Sequence, residues 1–315
     1  MSKVAYYRIM CCVVFSCVLI GVYPLWGFPQ EKERGLALSS DVIIPDRDGK
    51  PIQLYKGSYA LAIGISDYTN GWPDLPGVNK DVEEVKNILE KHGFHVVVKM
   101  DLDHLALAQA FDDFISQYGH DAENRLLFYF AGHGHTVRTN YGEELGYIIP
   151  ADAPNPNKHL PEFQKVAMEM QQIEIYAKRV QAKHALFLFD ACFSGSLFAL
   201  SRAVPQIISY KTANPVRQFI TSGSAEETVP DESIFRAQFV RALEGEADRD
   251  QDGFVTGSEL GEFLQASVVN YSQNAQHPQY GKIRNPNLDK GDLVFKLADY
   301  QTTDTASAPP PGRPA

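Results

Sequence analysis

Two short apolar runs fix the kind of fold open to this chain: Leu126-Leu127-Phe128-Tyr129-Phe130 and Ala185-Leu186-Phe187-Leu188-Phe189. Neither alternates with polar residues, so neither has a wet face, and runs of this length read as strands buried on both sides. Other segments supply the cover. Tyr59 to Ile65 reads as a further buried strand, and Asp81 to Leu89 shows the 3,4 apolar spacing of an amphipathic helix that His92-Gly93 closes. A strand (Phe94 to Lys99), a helix (Leu105 to Tyr118), an extended piece (Gly146 to Pro150) and a helix (Val166 to Ala182) follow. Beyond a polar, irregular stretch at 196–217 come a strand (Gln218 to Thr221) and a helix from Ser233 to Leu243. Strands alternating with helices predict an α/β protein: a three-layer α/β/α domain over residues 50–298 with a mostly parallel, doubly wound sheet.

Both apolar runs stop abruptly, one at Ala131-Gly132-His133-Gly134-His135 and the other at Asp190-Ala191-Cys192-Phe193-Ser194-Gly195. Ligands of open α/β sheets bind at the carboxyl ends of strands, so a thiol and an imidazole are expected side by side where chemistry is done. A thiol is only a few per cent ionised near neutrality, and a neighbouring imidazole supplies the missing activation. The small residues around both leave room for a substrate backbone and for the amides of Gly134 and Cys192 to face a developing oxyanion. Standing alone, Cys192 would read as an inert core residue. A zinc site also fits the residues: His133 and His135 share a strand face and, with Asp190 or Cys192, form a possible ligand set.

These segments resemble the catalytic segments of the caspase-like cysteine peptidases, particularly metacaspases and their bacterial relatives. The resemblance runs from about Tyr59 to Leu297 and includes A-L-A-I-G-I-S-D-Y, the stretch from Leu75 to Val82, G-Y-I-I-P-A-D-A after the histidine and G-D-L-V-F near the end. It implies a caspase-like fold with His133 as general base, Cys192 as nucleophile, and the Gly134 and Cys192 amides as oxyanion donors. It also implies that Asp81 and Asp190 line the primary specificity pocket and select Arg or Lys on the acyl side of the scissile bond, as charge-assisted hydrogen bonding would favour. Ala131 and Val78 stand where metacaspases often carry serine and cysteine. Read without the resemblance, Asp81 is a helix N-cap and Asp190 a strand-end turn.

Asp248 to Glu259 fits a calcium-binding EF-hand loop, with Asp248, Asp250, Asp252, the Phe254 carbonyl, Thr256 and Glu259 at the ligand positions. Apolar helical patterns flank it, Phe235 to Leu243 and Leu260 to Val268. A bound Ca²⁺ is the expectation, with a structural clip or an Asp-rich helix start as the alternatives.

With 39 acidic against 29 basic side chains and no basic cluster, nucleic acid is excluded as a partner. Residues 1–30 read as a targeting segment, with Lys3 and Arg8 ahead of an uncharged stretch from Ile9 to Phe28. It is either a retained membrane anchor, a removed signal whose Val14-Phe15-Ser16-Cys17 resembles a lipoprotein box, or a buried helix. An exported, membrane-anchored or periplasmic body is expected, joined through a linker at 31–49. Cys11, Cys12 and Cys17 fall in that segment, which leaves the body one thiol and no internal disulfide. The proline-rich end, 299–315, reads as a disordered tail. The leading functional reading is an exported or anchored cysteine endopeptidase acting on peptides or proteins with basic residues; the alternative is an inactive, calcium-responsive interaction module on the same scaffold. Arg202, Lys211 and Arg217 are expected in exposed chain, open to self-cleavage.

Overall fold

The computed structural model describes residues 42–45, 50–193, 198–200, 212–224, 227 and 232–297. The targeting segment with its three cysteines, Arg202, Lys211 and the proline-rich tail lie outside the described residues. The sheet that organises the rest has seven strands. Five run parallel: β3 (Gly57–Gly64), β4 (His95–Met100), β5 (Asn124–Ala131), β9 (His184–Cys192) and β11 (Val216–Gly223). Their spatial order is β4-β3-β5-β9-β11, with antiparallel β13 (Gln279–Ile283) and then β10 (Phe198–Leu200) added beyond β11. The order reverses between β3 and β5, so the crevice of a doubly wound sheet opens above their carboxyl ends.

Every residue of β5, β9 and β11 is buried, in β5 and β9 as their unbroken apolar runs demand. On one face Phe128, Phe187 and Phe219 sit directly opposite one another across three strands and stack, with ring centroids 4.4 and 5.0 Å apart. Cross-strand aromatic pairs of this kind add to sheet pairing beyond their buried area. Helix α2 (His104–Tyr118) covers this ladder with Phe111 and Phe114, and α4 (Met170–Arg179) adds Tyr176 against Phe111. The opposite face, including Leu127, Tyr129, Leu186, Leu188 and Ile220, packs with α1 (Gly77–Lys91), α5 (Ile234–Arg241) and α6 (Gly257–Tyr271). Three layers result, as predicted.

Several local expectations change. The expected helix from Val166 to Ala182 is α4, shorter at both ends, and an unexpected helix α3 (Pro156–Val166) precedes it, separated by the short strand β8 (Met168–Glu169). Two prolines hide α3 in the sequence; Pro156 takes the start of the helix, where its missing N–H costs nothing, and the backbone kinks at His159 ahead of Pro161. The Gly146–Pro150 piece contributes to β7 (Glu144–Ile148), which pairs with β6 (Gly134–Arg138) and β8 in a small sheet of its own. Residues 198–200, expected to be irregular, form edge strand β10. The expected linker is partly folded: β1 (Ile43–Pro45) pairs with β2 (Pro51–Gln53), and Val42 and Ile44 bury against Leu54, Tyr55 and Val294. Arg217 is not exposed chain. It is buried within β11, and its guanidinium donates to the carbonyls of Ala177, Val180, Lys183 and Val216, closing the end of α4.

Candidate active site

Strands β5 and β9 are in parallel register, Ala131 facing Asp190. His133 follows the end of β5 by two residues and Cys192 ends β9, so both groups stand at the carboxyl ends of adjacent strands. Cys192 is 9% exposed. Gly134 closes the gap between the strands: a Cβ there would lie 2.5 Å from the carbonyl oxygen of Cys192 and 2.9 Å from the Phe193 ring. Only a glycine lets the chain after His133 run this close to β9. Gly134 is paired opposite Ile148, and the Ile149 amide bonds the His133 carbonyl at 3.1 Å. In the alternating ladder of an antiparallel pair this makes Gly134–Ile148 a non-hydrogen-bonded pair, which directs the Gly134 N–H away from β7.

The loop between β3 and α1 holds the histidine. Nε2 of His133 lies 2.8 Å from the carbonyl oxygen of Pro73, which can only accept, so the neutral ring carries its proton on Nε2 and its lone pair on Nδ1. The His133 amide donates to the Tyr68 hydroxyl at 2.8 Å, and the rings of Tyr68 and Trp72 lie against the imidazole at 4.8 and 5.2 Å. Burial pulls the His133 pKa below the ordinary histidine range, with the Pro73 contact opposing. The loop is itself stitched down. Asp101 accepts from the Ser66 and Asp67 amides, Asp74 accepts from the Tyr68 amide, and the Thr69 amide bonds the Ala151 carbonyl.

On its other side Cys192 pairs with Gly223 of β11. A Cβ on Gly223 would lie 2.8 Å from Cys192 Sγ and 2.8 Å from a Glu227 carboxylate oxygen, so thiol and carboxylate flank one backbone position. Glu227 also accepts from the Ser224 amide and from both the amide and the ring of His277. Burial raises the Glu227 pKa, but these hydrogen bonds outweigh it and hold the group low.

Asp190 and Asp81 belong to one buried polar cluster beneath the thiol. Asp190 accepts from Ser233 Oγ at 2.5 Å and from the Tyr129 hydroxyl at 3.2 Å. Its other oxygen and Ser222 Oγ are both buried without a hydrogen bond of ordinary geometry, and Ser222 still lies near enough to help hold the carboxyl down. Burial, helped by the charge of Asp81, pushes the Asp190 carboxyl up to about 7 against the hydroxyls of Ser233, Tyr129 and Ser222. Asp81 is not a helix N-cap: α1 begins earlier, at Gly77, and Asp81 faces inward at 3% exposure. There it pairs with Arg236 of α5, Nε to Oδ1 at 2.8 Å, while the same guanidinium reaches Glu84.

A protein-family model described as the caspase domain matches residues 58–283, from β3 through β13. The chain belongs to the caspase-domain family. It is 29% identical over 187 residues to the mouse mucosa-associated lymphoid tissue lymphoma translocation protein 1 homolog, covering 58% of this chain and 20% of that protein. The human protein is 30% identical over 179 residues, covering 55% and 19%. This chain therefore spans about a fifth of the curated relatives it matches. In fold it is similar to protein GSU0716 from Geobacter sulfurreducens, with a TM-score of 0.51 at 15% identity, covering 76% of this chain and 99% of the other.

Within this caspase domain the acidic loop lies between two helices, α5 with the turn that extends it and α6. It follows a π-helical turn (Ala242–Glu246) and runs into β12 (Phe254–Thr256), which pairs with β14 (Val294–Lys296). Ligand atoms of Asp248, Asp250 and Asp252 lie within 4.8 Å of one another. Burial, and then the charges of Asp250, Glu259 and Asp248, push Asp252 up to about 6. Thr256 and Glu259 instead form the capping box of α6: each side chain accepts from the other's amide, and the Thr256 hydroxyl donates to the same Glu259 oxygen at 2.7 Å. Among the described residues these three aspartates are the only group of three or more side chains placed to share a metal ion, so His133 and His135 gain no third ligand. Sequence reasoning missed Pro73, Tyr68, Trp72, Ser233, Arg236, Glu227 and His277.

Proposed function

We propose that this caspase-domain chain is a cysteine endopeptidase whose nucleophile is Cys192 and whose base is His133. The observation that carries the reading is the adjacency of the two strand ends, with the histidine held by Pro73 so that Nδ1 keeps a lone pair. Nδ1 takes the thiol proton, and the thiolate attacks the scissile carbonyl carbon. The amides of Gly134 and Cys192 receive the oxyanion. As the C–N bond breaks, the imidazolium returns its proton to the leaving amine. Water, deprotonated by the same ring, then cleaves the thioester and releases the new carboxylate. Substrates with Arg or Lys at the acyl position are favoured by the buried carboxyls of Asp190 and Asp81, with Asp190 as the group that receives the cation while Asp81 stays paired to Arg236. The test is turnover of Arg or Lys fluorogenic peptides by residues 31–315, with Cys192→Ala as control; equal rates in the two proteins end the proposal.

We also propose that the three aspartates bind Ca²⁺ through their clustered oxygens, which relieves the mutual repulsion felt by Asp252. Calorimetric titration should show binding that Asp252→Asn abolishes, and a flat titration of the unaltered protein rejects it. For the N-terminal segment we propose membrane targeting or export. Recovery of the full chain, uncleaved, in the soluble cell fraction contradicts that.

A further inference from the structure

The carboxylate that sequence reasoning assigned to substrate is already in use. Asp81 sits 3% exposed on the inner face of α1, and the guanidinium of Arg236, itself 6% exposed, spans Asp81 and Glu84. The same residue is tied to the other half of the pocket. Ser233 caps α5 by accepting the Arg236 amide at 2.9 Å while its hydroxyl donates to Asp190. Arg236 thus has its backbone linked to one carboxyl of the pair and its side chain on the other. Tyr129, on β5 beneath His133, hydrogen-bonds Asp190 and feels the charges of Asp190, Asp81 and Arg236, so these groups share one electrostatic environment.

We propose that Arg236 is an internal competitor for the cation subsite: its guanidinium holds the place at Asp81 that a basic substrate side chain needs, and so limits how strongly the enzyme prefers such substrates. This rests on the pocket assigned under the proposed function. Arg suits the task because its planar fork serves Asp81 and Glu84 at once, which a lysine ammonium cannot do in the same geometry. A substrate Arg or Lys entering beside the native Arg236 meets Asp190 alone, whereas one entering after removal of Arg236 meets two carboxylates in a water-poor site. Arg236 is a specificity-setting residue and takes no part in proton transfer.

The test uses the full chain with Cys192→Ala, so that binding is read without turnover. Two labelled peptides differ only at the acyl position, one with arginine and one with its neutral isostere citrulline. Arg236→Gln should raise the arginine-over-citrulline affinity ratio by about tenfold or more, the lower end of what a close, desolvated charge pair contributes. Arg236→Lys keeps a positive charge beside Asp81 and so protects the fold; it should raise the ratio by about threefold. Arg236→Gln combined with Asp81→Asn should lose the gain. An unchanged or lower ratio in both single variants, judged folded by their unfolding transitions, overturns the proposal, as does failure of either variant to bind the arginine peptide. If the ratio shifts as expected but active Cys192 protein cleaves nothing, the peptidase reading fails and the role of Arg236 stands.

Discussion

Replacing Gly134 by alanine separates the placement of the thiol from every other property of the site. The added Cβ would lie 2.5 Å from the Cys192 carbonyl oxygen and 3.0 Å from its carbonyl carbon, where ordinary contact begins at 3.4 Å. The opposing atoms are backbone in a seven-stranded sheet, not the tip of a flexible side chain. Relief therefore requires one strand end to retreat by about 1 Å, and a displacement of that size between reacting groups costs on the order of 10²-fold in rate. Crowding a packed site in this way also costs about 1–3 kcal/mol of stability. Alanine keeps the Gly134 amide, so the proposed oxyanion donor survives, and the backbone there is not in the left-handed region. The assay is kcat for an arginine fluorogenic peptide beside urea unfolding of the same preparation. A kcat within twofold of the parent, with no loss of stability, refutes the close approach of His133's strand to Cys192.

Other consequences can be measured directly. Asp190 titrates at about 7 when folded and near 3.8 when unfolded, so between these values the folded state holds the extra proton and stability falls as pH rises, by at most about 4 kcal/mol, then levels off. Asp190→Asn should gain on the parent across that window; a difference in unfolding free energy independent of pH from 4 to 8 contradicts it. Arg125, fully buried, donates to Ser58 Oγ and to the carbonyls of His92 and Val294, and lies over the rings of Tyr55, Phe94 and Phe295. Arg125→Ala leaves those acceptors dry and a cavity behind, so unfolding in urea should show a loss of about 3–5 kcal/mol, and a loss below about 1 kcal/mol is inconsistent with this packing. Tyr68→Phe keeps the ring beside His133 but removes the acceptor of its amide; kcat should fall about tenfold with little change in KM, and an unchanged kcat argues against a positioning role.

The local signals in the chain were those that report burial. Unbroken apolar runs located β5 and β9, and 3,4 spacing located α1, because a strand buried on both faces and a helix buried on one must carry those patterns. Elements without such a pattern were missed: α3 with its two prolines, β13 with Gly281 and Lys282 among its five residues, and the short strands β1, β2, β12 and β14. Their stability comes from partners rather than from their own periodicity. The acidic loop shows the limit from the other side. Its spacing matched a metal-binding pattern at each position, yet Thr256 and Glu259 satisfy each other at the start of α6, a use the pattern alone does not distinguish from metal ligation.

The order of residues was enough to set the layered α/β sheet and to put a cysteine and a histidine at the ends of two central strands, since both follow from which stretches must escape water. Folding alone decided what those groups touch. The Pro73 carbonyl fixes the tautomer of His133 from a separate loop, and Arg236 reaches Asp81 across 155 positions of chain. Neither contact leaves a periodic trace, because the partner of a buried charge or ring nitrogen is whichever group the packed layers bring within about 3 Å of it.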